Sequence, residues 1–120
     1  MPRLPPGLVP QLSPDLAPGQ VVGEVVDSAG RSALGYAEVV LLTDSPDASP
    51  SIVAAAGYTD AVGHFSLNAS KPGPYTLRVL HLGHRSLRAP LRVPDRGGVF
   101  VSVTLARDSA ACSIWPDLCN

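Results

Sequence analysis

At 120 residues the chain has the length of one compact domain with tails. Its nine Lys and Arg against ten Asp and Glu, a net charge of −1, exclude the basic footprint that nucleic-acid binding requires. Thirteen prolines and eleven glycines in a chain that is 45% hydrophobic exclude long helices and point to short strands between turns, an all-β domain. No apolar run reaches the roughly 18 to 20 residues of a membrane-spanning helix, and no cofactor is expected.

In chain order, Pro2, Pro5, Pro6, Pro10, Pro14 and Pro18 make residues 1–18 read as an extended, flexible linker. The opening Met1-Pro2-Arg3-Leu4-Pro5-Pro6 lacks the basic, apolar and small-residue sequence of a signal peptide. From Gln20 the pattern alternates, with Val21, Gly23 and Val25 on one face and Val22, Glu24 and Val26 on the other. That predicts a first strand, closed by a turn at Asp27-Ser28-Ala29-Gly30. Residues 37–43 give a second strand with Ala37, Val39 and Leu41 inward, and Pro46 and Pro50 mark the loop after it. Residues 52–58 give a third.

At Asp60-Ala61-Val62-Gly63 the glycine can take positive φ and the aspartate can bond the backbone two residues on, so a hairpin is expected into a fourth strand at 64–67. Phe65 and Leu67 then point inward. After the turn Lys71-Pro72-Gly73-Pro74, residues Tyr75, Leu77 and Val79 alternate with Thr76, Arg78 and Leu80 in a fifth strand. Gly83 turns the chain into a sixth, whose Leu87, Ala89, Leu91 and Val93 share a face. Its internal Pro90 cannot donate to a neighbour, which puts this strand at a sheet edge. Following Asp95-Arg96-Gly97-Gly98, the inward Val99, Val101, Val103 and Leu105 complete a seventh. Seven short strands at this spacing predict an antiparallel Greek-key β-sandwich. In the tail, residues 107–120, Ile114 and Trp115 are expected to cap the sandwich, and Cys112 and Cys119 either close a short disulfide loop or stay as free thiols.

Thr59-Asp60-x-x-Gly63-x-Phe65-x-Leu67, then Pro72-Gly73-x-Tyr75-x-Leu77-x-Val79 and Gly83, resemble the carboxypeptidase regulatory-like domain family. Upstream, Val21-x-Gly23-x-Val25-x-Asp27-x-x-Gly30 and Ala37-x-Val39-x-Leu41 extend the resemblance, which covers residues 19–105 and sets a domain at 19–106. It implies a transthyretin-like (prealbumin-like) sandwich serving as a non-catalytic accessory module. Such modules are attached to secreted peptidases, surface proteins and outer-membrane receptors, so a secreted, periplasmic or cell-surface location is implied, with a protein partner or a larger parent polypeptide. Two positions depart from the family pattern. Tyr36 stands where the family carries Gly before the second-strand Ala, and His84 where an aromatic often follows Gly83.

Three sets of residues are candidates for a site. Arg78, Arg88 and Arg92 fall on the outward register of two strands joined by a short connection, and guanidinium forks suit carboxylate or sulfate groups on a partner. Tyr36, Tyr58 and Trp115 are the aromatics free to stack on a sugar, which makes a carbohydrate-binding module the alternative. A second alternative, a small hydrolase or metal-binding protein, would use His64, His81 and His84. Asn68-Ala69-Ser70 is a glycosylation sequon in a suitable host. No nucleophile elbow or Cys/His pair is present, so the chain is expected not to be an enzyme.

Overall fold

In the computed structural model, which describes residues 7–29, 32–43 and 52–107, the period-two runs become eight strands. They are β1 (Gly7–Ser13), β2 (Gln20–Asp27), β3 (Glu38–Thr43), β4 (Val53–Tyr58), β5 (His64–Asn68), β6 (Gly73–Leu80), β7 (Leu87–Val93) and β8 (Gly98–Leu105). One sheet has the order β1-β8-β2-β5 and the other β4-β3-β6-β7. Their inner faces meet in a core where Val21, Val25, Val39, Leu41, Leu77, Val79, Val99, Val101 and Val103 are fully buried. Each such side chain contributes about 1.5–3 kcal/mol by leaving water. The alternation fixes the register, because a slip of one residue would turn this set outward.

The seven expected strands are β2 to β8; no inward face was assigned to β4, and of the side chains assigned inward elsewhere all but Ala89 lie in the core or pack against it. The expected all-antiparallel pairing is corrected at one place. β2 runs parallel to β8, from Val21 opposite Val99 to Asp27 opposite Leu105. Periodicity along a strand carries no information about the direction of a partner distant in sequence. At Gly23, a side chain would run into the Val101 carbonyl of β8 and the Phe65 ring of β5, so glycine lets the strands and that ring close over β2.

Two further expectations are corrected. Part of the proline-rich stretch read as a linker is the eighth strand: β1 pairs antiparallel with β8, Leu8 opposite Val103 and Pro10 opposite Val101. β1 lies at the sheet edge, where alternate N–H groups suffice for the ladder and a proline is tolerated. The turn at residues 60–63 forms as expected, but it is not a hairpin. It carries the chain from β4 in one sheet to β5 in the other. The Val25 amide donates to the Gly63 carbonyl at 2.8 Å, hooking the turn onto β2 and delivering β5 to that strand.

β7 is a sheet edge, as Pro90 requires. No helix of the described residues is long and apolar enough to cross a membrane.

Candidate functional site

The β6–β7 connection is a tight turn whose chemistry follows from one glycine. The His84 amide donates to the His81 carbonyl at 3.1 Å, and Gly83 sits in the third position with φ of +83°. That is a type II β-turn, which needs positive φ there. The turn brings the first and fourth side chains together: the His81 and His84 rings lie edge to face with centroids 4.8 Å apart and their Nδ1 atoms 3.0 Å apart.

His84 also reaches the core end of β2. Continuing the inward series Val21, Gly23, Val25 places Asp27 inward, and its side chain is only 5% exposed. A buried carboxylate is costly unless its oxygens are hydrogen-bonded. Asp27 Oδ2 accepts from His84 Nε2 at 2.7 Å and from Arg107 Nε at 3.0 Å, while Oδ1 accepts from the Ala29 amide at 2.6 Å. Because Asp27 is an acceptor, His84 Nε2 carries a proton. Arg107 was assigned to the tail, yet a bridge to His84 and the bond to Asp27 make it part of the domain. An open cleft of about 290 Å³ adjoins the group, lined by Ser32, Leu34, Leu82 and Gly83 as well as Asp27, His84 and Arg107.

Of the three candidate histidines, the fold joins His81 and His84 but leaves His64 out. His64 lies exposed on β5 opposite Glu24. Among the described residues no three His, Cys, Asp or Glu side chains form a metal-ligand set, which corrects the three-histidine reading. Asp60 is a turn residue, as its position implied. Its Oδ1 accepts from the Val62 and His64 amides, both at 3.0 Å, and the His64 bond foremost holds its carboxyl below the usual carboxylate range.

The arginines share one face. β6 and β7 place Arg78 directly opposite Arg88, and Arg92 opposite Pro74 four residue pairs along. Like charges directly across a sheet are unfavourable. Glu38 lies 3.6 Å from Arg78, a long and half-exposed pair that offsets part of the charge. Arg88 and Arg92 are exposed and make no ion pair among the described residues. Arg78 Nε is enclosed without a hydrogen-bond partner, an unused donor within the arginine row.

The tyrosines are exposed too, Tyr36 at 74% and Tyr58 at 66%. Tyr36 is held at φ of 60°, the left-handed region that a Gly would occupy without strain, which accounts for the family's preference at this position. Thr59 imposes that conformation. Its carbonyl accepts from the Tyr36 amide at 3.0 Å, and its buried Oγ1 accepts from the Ala37 amide at 2.8 Å and donates to the Leu34 carbonyl at 2.7 Å. Trp115, Ile114, Cys112 and Cys119 lie outside the described residues, so the capping and disulfide expectations lie there as well. Asp27 and Arg107 were missed by sequence reasoning. The signal for Asp27 was present, a carboxylate in the inward register of a strand.

The model of the carboxypeptidase regulatory-like domain family matches residues 20–106. The chain belongs to that family. Among solved structures, this regulatory-like domain is similar to sea bream transthyretin in complex with thyroxine, at 14% identity over 73% of this chain and 87% of that one, with a TM-score of 0.58. It is also similar to the pilus 2b backbone protein of group B streptococcus, at 19% identity over 78% of this chain, with a TM-score of 0.57. That match covers 42% of the pilus protein. At such identities the likeness establishes the transthyretin-like sandwich and nothing about ligands. No curated protein matches the sequence significantly.

Proposed function

We propose that this domain is a non-catalytic accessory module of a secreted or cell-surface protein that holds an acidic protein segment against the outer face of the β4-β3-β6-β7 sheet. The observation that carries the reading is the arginine row: Arg78 and Arg88 in direct cross-strand register, Arg92 four residues further along the edge strand on the same face, and Glu38 as a carboxylate paired to Arg78. Guanidinium forks bind carboxylates in bidentate geometry, and a partner's carboxylates would relieve the repulsion the pair carries alone. β7 is the edge strand of its sheet among the described residues, and an extended segment can lie there alongside the row. The segment can come from a separate partner or from the parent polypeptide, and family membership supports both.

The test is fluorescence anisotropy with a labelled Glu/Asp-rich peptide at low and high salt, comparing the parent domain with Arg88→Glu/Arg92→Glu. Reversal of two exposed charges is expected to weaken binding about tenfold or more, with the difference shrinking at high salt. Equal binding by parent and variant removes the proposal. Tyr36 and Tyr58 supply the carbohydrate alternative through their exposure, and a glycan array on Tyr36→Ala and Tyr58→Ala variants separates it from the acidic-segment reading.

A further inference from the structure

We propose that His81 and His84 form a two-nitrogen chelate for Cu(II), oriented by Asp27, at the turn that joins β6 to β7. Asp27 Oδ2 accepts the Nε2 proton of His84, so neutral His84 presents a lone pair at Nδ1. That lone pair faces His81 Nδ1 at 3.0 Å. Two imidazole nitrogens this close need a proton or a metal ion between them, because facing lone pairs repel; without metal, His81 Nδ1–H donates to His84 Nδ1.

Nitrogens 3.0 Å apart on one turn are near enough for a single ion to take both at metal–imidazole bonds of about 2.0–2.1 Å, once the rings turn to aim both lone pairs at it. Imidazole donors with water in the open positions suit Cu(II) and Ni(II), and the Irving–Williams order then favours Cu(II). The Asp27 carboxylate on the far nitrogen of His84 is the outer partner that fixes ring orientation and raises ligand basicity in histidine metal sites. The same carboxylate offsets the charge of Arg107, bonded to it at 3.0 Å.

Water completes the coordination from the open side, where Leu82 at the turn tip is 96% exposed. Binding exchanges one species for another. Cu(II) accepts both Nδ1 lone pairs, His81 gives up its Nδ1 proton to solvent and takes one up at Nε2 so that the ring stays neutral, and no electron is transferred. His64 has no part in the site, and the site stands independently of the docking function.

The experiment titrates the full chain, in a Cys112→Ser/Cys119→Ser background that removes competing thiols, with Cu(II) while recording ¹H–¹⁵N spectra. Paramagnetic broadening is expected first at residues 81–85 and at Ala29, whose amide donates to Asp27. His81→Ala, which leaves the Asp27–His84 bond intact, abolishes that broadening and lowers Cu(II) affinity by calorimetry about tenfold or more, whereas His64→Ala retains both. The spectra themselves report whether each variant is folded. Broadening confined to the N-terminus or to His64, or unchanged by His81→Ala, overturns the proposal. So does Zn(II) binding more tightly than Cu(II) at the same residues.

Discussion

Replacing Asp27 by Ala tests whether the carboxylate is what closes the end of the sandwich. Among the described residues, the substitution removes the acceptor of the Ala29 amide at 2.6 Å, of His84 Nε2 at 2.7 Å and of Arg107 Nε at 3.0 Å. A lost hydrogen bond to a charged group costs about 1.5–3 kcal/mol, and breaking a buried pair by deleting one partner costs about 3–5 kcal/mol. The full sum does not apply, because the Arg107 side chain is 34% exposed and regains water when released. His84, at 10%, and the Ala29 amide regain less. The expected loss is therefore about 2–4 kcal/mol, a large share of the 5–15 kcal/mol typical of a domain.

Urea unfolding followed by circular dichroism measures that loss, and with a slope of about 1–1.5 kcal/mol/M the midpoint falls by about 1.3–4 M. Asp27→Asn keeps the shape and one acceptor but not the charge, and should lie between parent and Ala. A loss below about 0.5 kcal/mol for Asp27→Ala, well under the cost of one charged hydrogen bond, would refute the argument.

Gly63→Ala is expected to cost about 1–3 kcal/mol, since Gly63 has φ of +80° and an added Cβ would lie 2.8 Å from the Val25 carbonyl oxygen; thermal unfolding measures it. Tyr36→Gly should raise stability by about 0.5 kcal/mol, the relief of left-handed strain exceeding the entropy cost of glycine, and a loss beyond about 1 kcal/mol would show that the Tyr36 ring holds the loop. For Asp60 the folded carboxyl is depressed, so its contribution is present above the ordinary value of 3.8 and is lost as pH falls through the folded value. Stability measured from about pH 5 downward should fall less in Asp60→Ala than in the parent, and parallel profiles would contradict this.

Much of the fold was legible because the core imposes period two: inward residues of β2, β3 and β5 to β8 could be named from alternation alone. Pro90 marked its edge by a missing donor, and Arg78 and Arg88 could be paired because a short connection leaves adjacent strands few registers. Long-range pairing left no such trace. Nothing local distinguishes a turn within a sheet from one that crosses between sheets, so residues 60–63 read as a hairpin. β1 was hidden by the prolines around it, although its edge position tolerates Pro10. The His81–His84 contact was half visible, since His-x-Gly-His is a type II turn pattern, but Arg107 joins it from 80 residues beyond Asp27.

The central claim is that an acidic segment docks on the arginine face, and chemical-shift mapping of a Glu/Asp-rich peptide on the ¹⁵N-labelled domain tests it most directly. The account predicts shifts concentrated on β6 and β7 around Arg78, Arg88 and Arg92 and weakened by salt. Shifts centred instead on the outer face of the β1-β8-β2-β5 sheet, or none at millimolar peptide, would contradict it.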